Sequence, residues 1–182
     1  MIAFLPGSTV EAELSRKNAA ETLLTPMFIP GGLVLSQVSE ITGLAPHTIQ
    51  NWVKRGFVSP PKNKRYSREQ LSRLLIINAL KDSLQIEHII ALCAHAGAHL
   101  GTAGVGDAAL YCCFVDVLGA LGTGVPAQGA MRTAIEQALS DFKEPYTGAK
   151  ARLTNVLEIM LLAYSASRLH QNAQRMLKAL DL

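Results

Sequence analysis

Apolar residues recur along this chain at helical spacing, in segments separated by glycine and proline, and the pattern is most ordered between residues 33 and 92. Val38 and Ile41, three apart, give a short helix over 36–42 an inward face, and Ser36 stands where it can cap the first turn. Gly43 ends that helix and Leu44-Ala45-Pro46 turns the chain. Pro46 suits a first helical position, because the N–H it lacks is one the helix leaves unpaired. Over 46–55, Ile49, Trp52 and Val53 stand at i, i+3 and i+4 as one narrow apolar stripe, and His47, Gln50, Asn51 and Lys54 share the opposite side. Gly56 falls at the C-cap, and Phe57-Val58 predicts a short strand. Residues 59–65 form a turn-rich basic loop, from which Tyr66 returns toward the core. Ser67-Arg68-Glu69-Gln70 is a capping box in which Gln70 reaches back to Ser67. It opens a helix with the inward stripe Leu71, Leu74, Leu75 and Asn78 or Ala79. Beyond Asp82-Ser83-Leu84-Gln85 another helix begins, carrying Ile86, Ile89, Ile90 and Leu92.

The flanking segments predict helices as well. Ser8-Thr9-Val10-Glu11 reads as a second capping box, opening a helix to about Leu24 with Val10, Leu14 and Leu24 as its apolar residues, and Thr25-Pro26 stops it. Pro26, Pro30, Gly31 and Gly32 then mark a linker. Past Leu92 the glycines at 97, 101, 104 and 106 predict a loop, and Asp107 is placed to cap a very apolar helix to about Leu121. The break at 122–126 precedes a helix from Pro126 or Ala127 to Phe142, with Met131, Ile135, Ala138 and Leu139 inward. After a second break at 144–148, a long helix from about Lys150 to Leu180 holds Val156, Leu157, Ile159, Met160, Leu161 and Leu162. These are apolar nearly all round, as in a helix buried among others or in a subunit interface. The expected architecture is mainly α. It comprises an N-terminal helix and linker (1–32), a winged helix-turn-helix head with a small β wing (33–92), and a helical bundle body (93–182).

Composition narrows this further. A hydrophobic content of 49% supports a sizeable core, and 5% aromatic residues favour aliphatic helix packing. The net charge of +3 is unevenly spread: seven basic residues and one acidic between Lys54 and Arg73 leave the rest of the chain at −3. A basic head on a mildly acidic body is the asymmetry expected of a nucleic-acid binder that uses its remainder for something else. No secretory signal or membrane span is expected. The longest apolar run, 108–115, is closed by Asp107 and Asp116 and falls short of the about 18 residues a span needs. Three cysteines, Cys112 and Cys113 adjacent, make no disulfide framework and fit a reducing cytoplasm.

Several stretches together resemble a known head. Leu35 to Leu44, Thr48-Ile49 followed by Trp52, Gly56 to Pro61, and Tyr66-Ser67 ahead of Leu71 and Leu74 are similar to the DNA-binding head of the mercury-resistance-regulator (MerR) superfamily. The run from Gln50 through Lys64-Arg65-Tyr66 to Leu80-Lys81 also resembles an uncharacterised bacterial family of MerR-like proteins. The likeness covers about a third of the chain. It implies a transcription regulator whose second helix enters the major groove while the wing grips phosphates. Two departures stand out: the wing keeps only Lys64-Arg65-Tyr66 where the superfamily carries Gly-Tyr-Arg before its last tyrosine, and Ala45 replaces the common Ser or Thr before Pro46.

On that frame His47, Thr48, Gln50 and Asn51 are candidates for base edges. Lys54, Arg55, Lys62, Lys64, Arg65, Tyr66 and Arg68 are candidates for phosphates. The expected partner is double-stranded DNA, bound by a homodimer. The helix after Gln85 breaks too soon for a long coiled coil, which points to dimerisation through the C-terminal bundle. Two alternatives are a protein-interaction module built on the head and a body enclosing a small-molecule effector. His95 and His99 stand four apart, with His88 a heptad earlier and Cys93 nearby, but no third ligand falls at a diagnostic spacing, so no metal is expected. Cys112 and Cys113 read as buried structural thiols. No catalytic triad, carboxylate pair or P-loop is present, and Gly119, Gly122 and Gly124 follow no strand; the chain is expected to have no cofactor and not to be an enzyme.

Overall fold

The computed structural model describes residues 2–97, 106–122 and 127–180. It is mainly helical. The described elements are a two-stranded antiparallel sheet of β1 (Ile2–Phe4) and β2 (Glu11–Glu13), eight α-helices, and a short 3-10 helix (Thr25–Phe28) that follows the first of them. The helices are α1 (Ala19–Leu24), α2 (Leu35–Thr42), α3 (Pro46–Lys54), α4 (Arg68–Leu80), α5 (Ile86–Gly97), α6 (Asp107–Leu121), α7 (Gln128–Ala138) and α8 (Ala149–Ala179). Among the described residues no helix is long and apolar enough to cross a membrane.

Everything is arranged around α4. Its capping box forms as the sequence predicts: Ser67 Oγ accepts from the Gln70 N–H at 3.3 Å, and Gln70 Oε1 accepts from the Ser67 N–H at 2.7 Å. The helix is more apolar than one stripe would require. Ile76, Ile77 and Leu80 are buried along with Leu71, Leu74 and Leu75, so three sides are covered. A helix apolar over most of its circumference is stable only when surrounded. Here α6 lies on one side, α5 and α8 on another, and α2 on a third. The result is one continuous apolar core running from Leu5 through Trp52 and Phe114 to Ala163.

The N-terminal segment departs from expectation. Residues 8–11 do not cap a helix; they close a hairpin whose register pairs Ile2 with Glu13, Ala3 with Ala12 and Phe4 with Glu11. Ser8 Oγ accepts from the Val10 N–H at 3.0 Å, a local bond that competes with helix capping. Tertiary contacts then hold the loop. Tyr111 donates to the Pro6 carbonyl at 2.8 Å, Asn78 donates to the Gly7 carbonyl at 2.8 Å, and Thr9 Oγ1 donates to the Glu40 carbonyl at 2.6 Å. Gly7 has φ +72°, and a Cβ there would lie 2.2 Å from the Leu75 carbonyl oxygen, so the loop is pressed directly on α4. Helix forms only from Ala19. Leu14 and Leu24 are buried as expected, the first of them from the turn that follows β2.

Smaller corrections concern helix ends. Ser36 lies inside α2, and the first turn is closed by Gln37 Oε1, which accepts from the Val34 N–H at 3.0 Å. Gly106, not Asp107, is the N-cap of α6. Asp107 is instead drawn to Arg73 of α4, accepting from Nε at 2.7 Å and Nη2 at 3.0 Å. The α7 helix stops at Ala138, short of Phe142, although Met131, Ile135 and Leu139 are buried as predicted. In α8, Val156, Leu157, Met160 and Leu161 are buried, but Ile159 and Leu162 face solvent, so its apolar character is two-sided for a reason other than this chain's own core.

Candidate nucleic-acid interface

The turn between α2 and α3 is built from its own hydrogen bonds. Gly43 takes φ +68°, and Thr42 Oγ1 donates to the Val38 carbonyl at 2.7 Å and accepts from the Leu44 N–H at 3.2 Å. Ser39 Oγ donates to the Leu44 carbonyl at 2.6 Å. The turn is therefore rigid although Ala45, at the N-cap of α3, supplies no side-chain bond. Ile49 and Trp52 are buried and Val53 half-buried, which fixes the rotation of α3 and leaves His47, Gln50, Asn51 and Lys54 on its outward side, with Thr48 at their edge.

The expected strand at Phe57-Val58 does not form. The end of α3 is a Schellman motif: Gly56, at φ +77°, donates to Val53 at 3.0 Å, and Phe57 donates to Trp52 at 2.9 Å. Those bonds consume the N–H groups a strand would use. Val58 is buried without a ladder partner. The basic loop closes as a two-residue turn, with Lys62 and Arg65 exchanging backbone hydrogen bonds at 3.1 and 2.9 Å across Asn63 (φ 51°) and Lys64 (φ 60°). Positive φ at both central positions is the type I′ geometry that matches strand twist. At its base, Leu33 and Tyr66 pair through bonds of 3.0 and 2.7 Å.

Lys54, Lys62 and Lys64 stand on this surface. Between Glu40 and Glu69 the chain has no acidic residue, and among the described residues none of the three lysines forms an ion pair. Arg55 and Arg65 are exposed but anchored. The Arg55 guanidinium lies 4.4 Å from the Phe57 ring centre and 3.1 Å from the Glu87 carboxylate on α5, and Arg65 Nη1 donates to the Gly32 carbonyl at 2.9 Å.

Two expected contacts lie elsewhere. Tyr66 is only 3% exposed, packed in the core as the returning residue of the loop, away from the surface that a phosphate could reach. Arg68 pairs in two-pronged fashion with Glu21 of α1, Nη1 donating to Oε1 at 3.0 Å. The Cys112 thiol of α6 lies 3.5 Å from both. The Arg68 hydrogen bond holds the Glu21 carboxyl below its usual range, and burial pushes the Cys112 thiol up to about 12. Arg68 thus ties α1, α4 and α6 together.

Sequence reasoning missed Gln70 as an anchor of the loop. While its Oε1 caps α4, its Nε2 donates to the Ser59 and Pro60 carbonyls, both at 2.9 Å. A glutamine at the third position of a capping box, ten residues after a Ser-Pro, was the available signal. Glu87 had none, because its partner is distant in sequence.

The other candidate chemistry is sparse. His95 is exposed and Cys93 buried, its thiol pushed up to about 12 by burial, while His99 lies outside the described residues. Among the described residues no three His, Cys, Asp or Glu side chains are grouped to hold a metal ion. Cys112 and Cys113 are half-buried, and burial pushes the latter up to about 11. A cavity of about 580 Å³ between β1 and α8 is lined by Lys81, Asp82, Arg168, Gln171 and Arg175 among others, a polar setting unlike that expected for a hydrophobic effector.

Residues 32–112 match a family described as a domain of unknown function, DUF1836. That stretch begins just before α2 and ends within α6, so it contains both the exposed basic surface and the Arg73–Asp107 pair. A segment of 62 residues is 42% identical to the uncharacterized protein YkrK of Bacillus subtilis (strain 168), covering 32% of this chain and 27% of that protein. The chain thus spans only about a quarter of that relative's length. No solved structure matches it.

Proposed function

We propose that residues 33–92 are a winged helix-turn-helix head of the MerR-like kind, and that the protein is a sequence-specific transcriptional regulator of the bacterial cytoplasm that binds double-stranded DNA as a homodimer. In this reading α3 enters the major groove, where Gln50, Asn51 and His47 meet base edges and Thr48 contributes at the margin. The two-residue turn is the wing, with Lys62 and Lys64 on phosphates beside Lys54; Arg55 and Arg65 add charge from anchored positions. The supporting observation is the rotation of α3: burial of Ile49 and Trp52 turns a wholly non-acidic polar face outward, in a stretch of 28 residues without one carboxylate. An ordinary solvated helix would carry mixed Glu/Lys pairs there.

The test is binding to a mixed-sequence duplex over a salt series, comparing the native chain with Lys62→Glu/Lys64→Glu. Those two side chains stand clear of the core. Each lysine that no longer neutralises a phosphate flattens the log–log salt slope by about 0.9. Gln50→Ala/Asn51→Ala should leave that slope unchanged and erode preference among sequences. Absence of binding at low salt, or an unchanged slope in the double lysine variant, refutes the reading and makes a protein partner for the head the better hypothesis.

A further inference from the structure

On α8, Ile159, Leu162, Ala166, Leu169, Ala173 and Met176 follow one another at alternating intervals of three and four residues, and Leu180 continues the series. This is a heptad seam. It faces solvent along its whole length: Ile159 is 43% exposed, Leu162 and Leu169 51%, Met176 71% and Leu180 68%, with both alanines exposed as well. The opposite side of the helix faces its own body, through Leu157, Met160 and Leu161 in its first half and through polar groups further on. Ser167 Oγ lies 2.6 Å from Ser83 Oγ, Gln171 donates to Asp82 at 3.0 Å, and Arg168 and Arg175 line the groove against β1. The seam is thus the side of α8 that this chain leaves uncovered.

We infer that the seam is covered by the same seam of a second copy, running antiparallel. In an antiparallel pair each first-heptad residue faces a fourth-heptad residue of its neighbour. A two-fold axis level with residues 167–168 sets Ile159 against Met176, Leu162 against Ala173 and Ala166 against Leu169. Every alanine then meets a leucine, the large-to-small alternation that fills a helix interface. A parallel pair would set Ala166 on Ala166 and Ala173 on Ala173, leaving two thin layers. The arrangement is isologous and closes on itself. It also lays the exposed end of each α8 over Ile159 and Leu162 of the other copy, which explains why those two residues are bare beside a well-packed body.

Size and charge agree. The seam presents roughly 500 Å² of apolar surface per copy, toward the upper end of the ~300–600 Å² of a single chain's largest apolar patch and more than half of the ~800 Å² per partner of a standard interface. Of its flanking residues, Glu158, Ala163, Ser165, His170, Asn172, Leu177 and Ala179, Glu158 alone is an Asp, Glu, Lys or Arg, and the antiparallel register sets the two copies of Glu158 at opposite ends of the interface, so no like charges are pressed together. This pairing stands whether or not the head binds DNA.

Sedimentation at tens of micromolar should give the mass of two chains, and Leu162→Glu/Leu169→Glu, both at exposed positions, should give the mass of one with helical content unchanged. A monomeric native chain, or a dimer that survives both substitutions, overturns the proposal. Direction is read by oxidative cross-linking, with the unsubstituted chain as blank. An equimolar mixture of Ile159→Cys and Met176→Cys chains should cross-link to each other, and Met176→Cys alone should not. Self-linkage of Met176→Cys without the mixed product overturns the antiparallel register.

Discussion

Lys64 combines two roles that pull in opposite directions. Its backbone sits at φ 60°, a left-handed conformation that a side chain with a Cβ adopts at a cost of about 1–2 kcal/mol. Its ammonium is exposed at the tip of the basic turn. Asn followed by Gly would be the preferred pair for such a turn, and Asn63 already fills the first place. Lys64→Gly should therefore stabilise the fold by about 0.5–1 kcal/mol, the relief of strain exceeding the added freedom of glycine in the unfolded chain. If the turn grips phosphate, the same variant should bind DNA more weakly and with a salt slope flatter by about 0.9. Chemical denaturation and the salt series on one preparation check both halves; a less stable Lys64→Gly would mean that the lysine side chain is part of the turn's structure. Nearby, Tyr66 and Arg68 show the limit of reading single residues. Both follow a basic loop, yet Tyr66 pairs its backbone with Leu33 and buries its ring, and Arg68 turns to Glu21, a residue 47 positions away.

At the scale of elements, α3 and α4 were legible because local signals and tertiary burial agree: a proline at N1 and a glycine closing one, a capping box opening the other, and stripes that the core accepts. The N-terminal segment was not. Its Ser-Thr-Val-Glu run carries a helix-start signal, but the alternation of exposed Glu11, buried Ala12 and exposed Glu13 is a strand signal only three residues long, and Gly7 seats the hairpin on α4. The close approach between this segment and α6 was equally invisible. A Cβ on Gly119 would lie 1.9 Å from the Leu14 carbonyl oxygen and 2.8 Å from its carbon, whereas one on Gly129, in the first turn of α7, would meet nothing within 4 Å. Helix propensity alone favours alanine over glycine by about 1 kcal/mol at either place. Gly129→Ala should thus raise the denaturation midpoint, while Gly119→Ala should lower it, at a net cost of about 1–3 kcal/mol as the backbone gives way. Midpoints moving in the same direction would show that the β2 segment yields freely and that its seat on α6 is soft.

For the whole molecule the question is whether the basic head and the helical body unfold as one. The sequence suggests two units, because charge and glycine content change after Leu92. Packing argues otherwise. The α4 helix is in contact with α2 of the head and with α6 and α8 of the body, and Arg73–Asp107 and the Arg68–Cys112 contact cross the same division. Removing the body would bare much of a helix that is apolar over most of its circumference, and removing the head would take that helix away from α6 and α8, which pack on it. Neither half keeps a closed core, so unfolding should be a single cooperative step. The chain offers a direct reading of this, since its one tryptophan, Trp52, is buried under α3, whereas most of its helical signal comes from the body. Trp52 fluorescence and far-ultraviolet dichroism should trace superimposable denaturation curves. Leu157→Ala, which empties a fully buried site in α8 far from the head in sequence, should then shift the Trp52 transition as much as the dichroic one, by about 2–5 kcal/mol. A Trp52 transition that stays in place while the helical one moves would mean that the α4 interfaces do not couple the two regions, and that the head is a separately stable unit carried on the body.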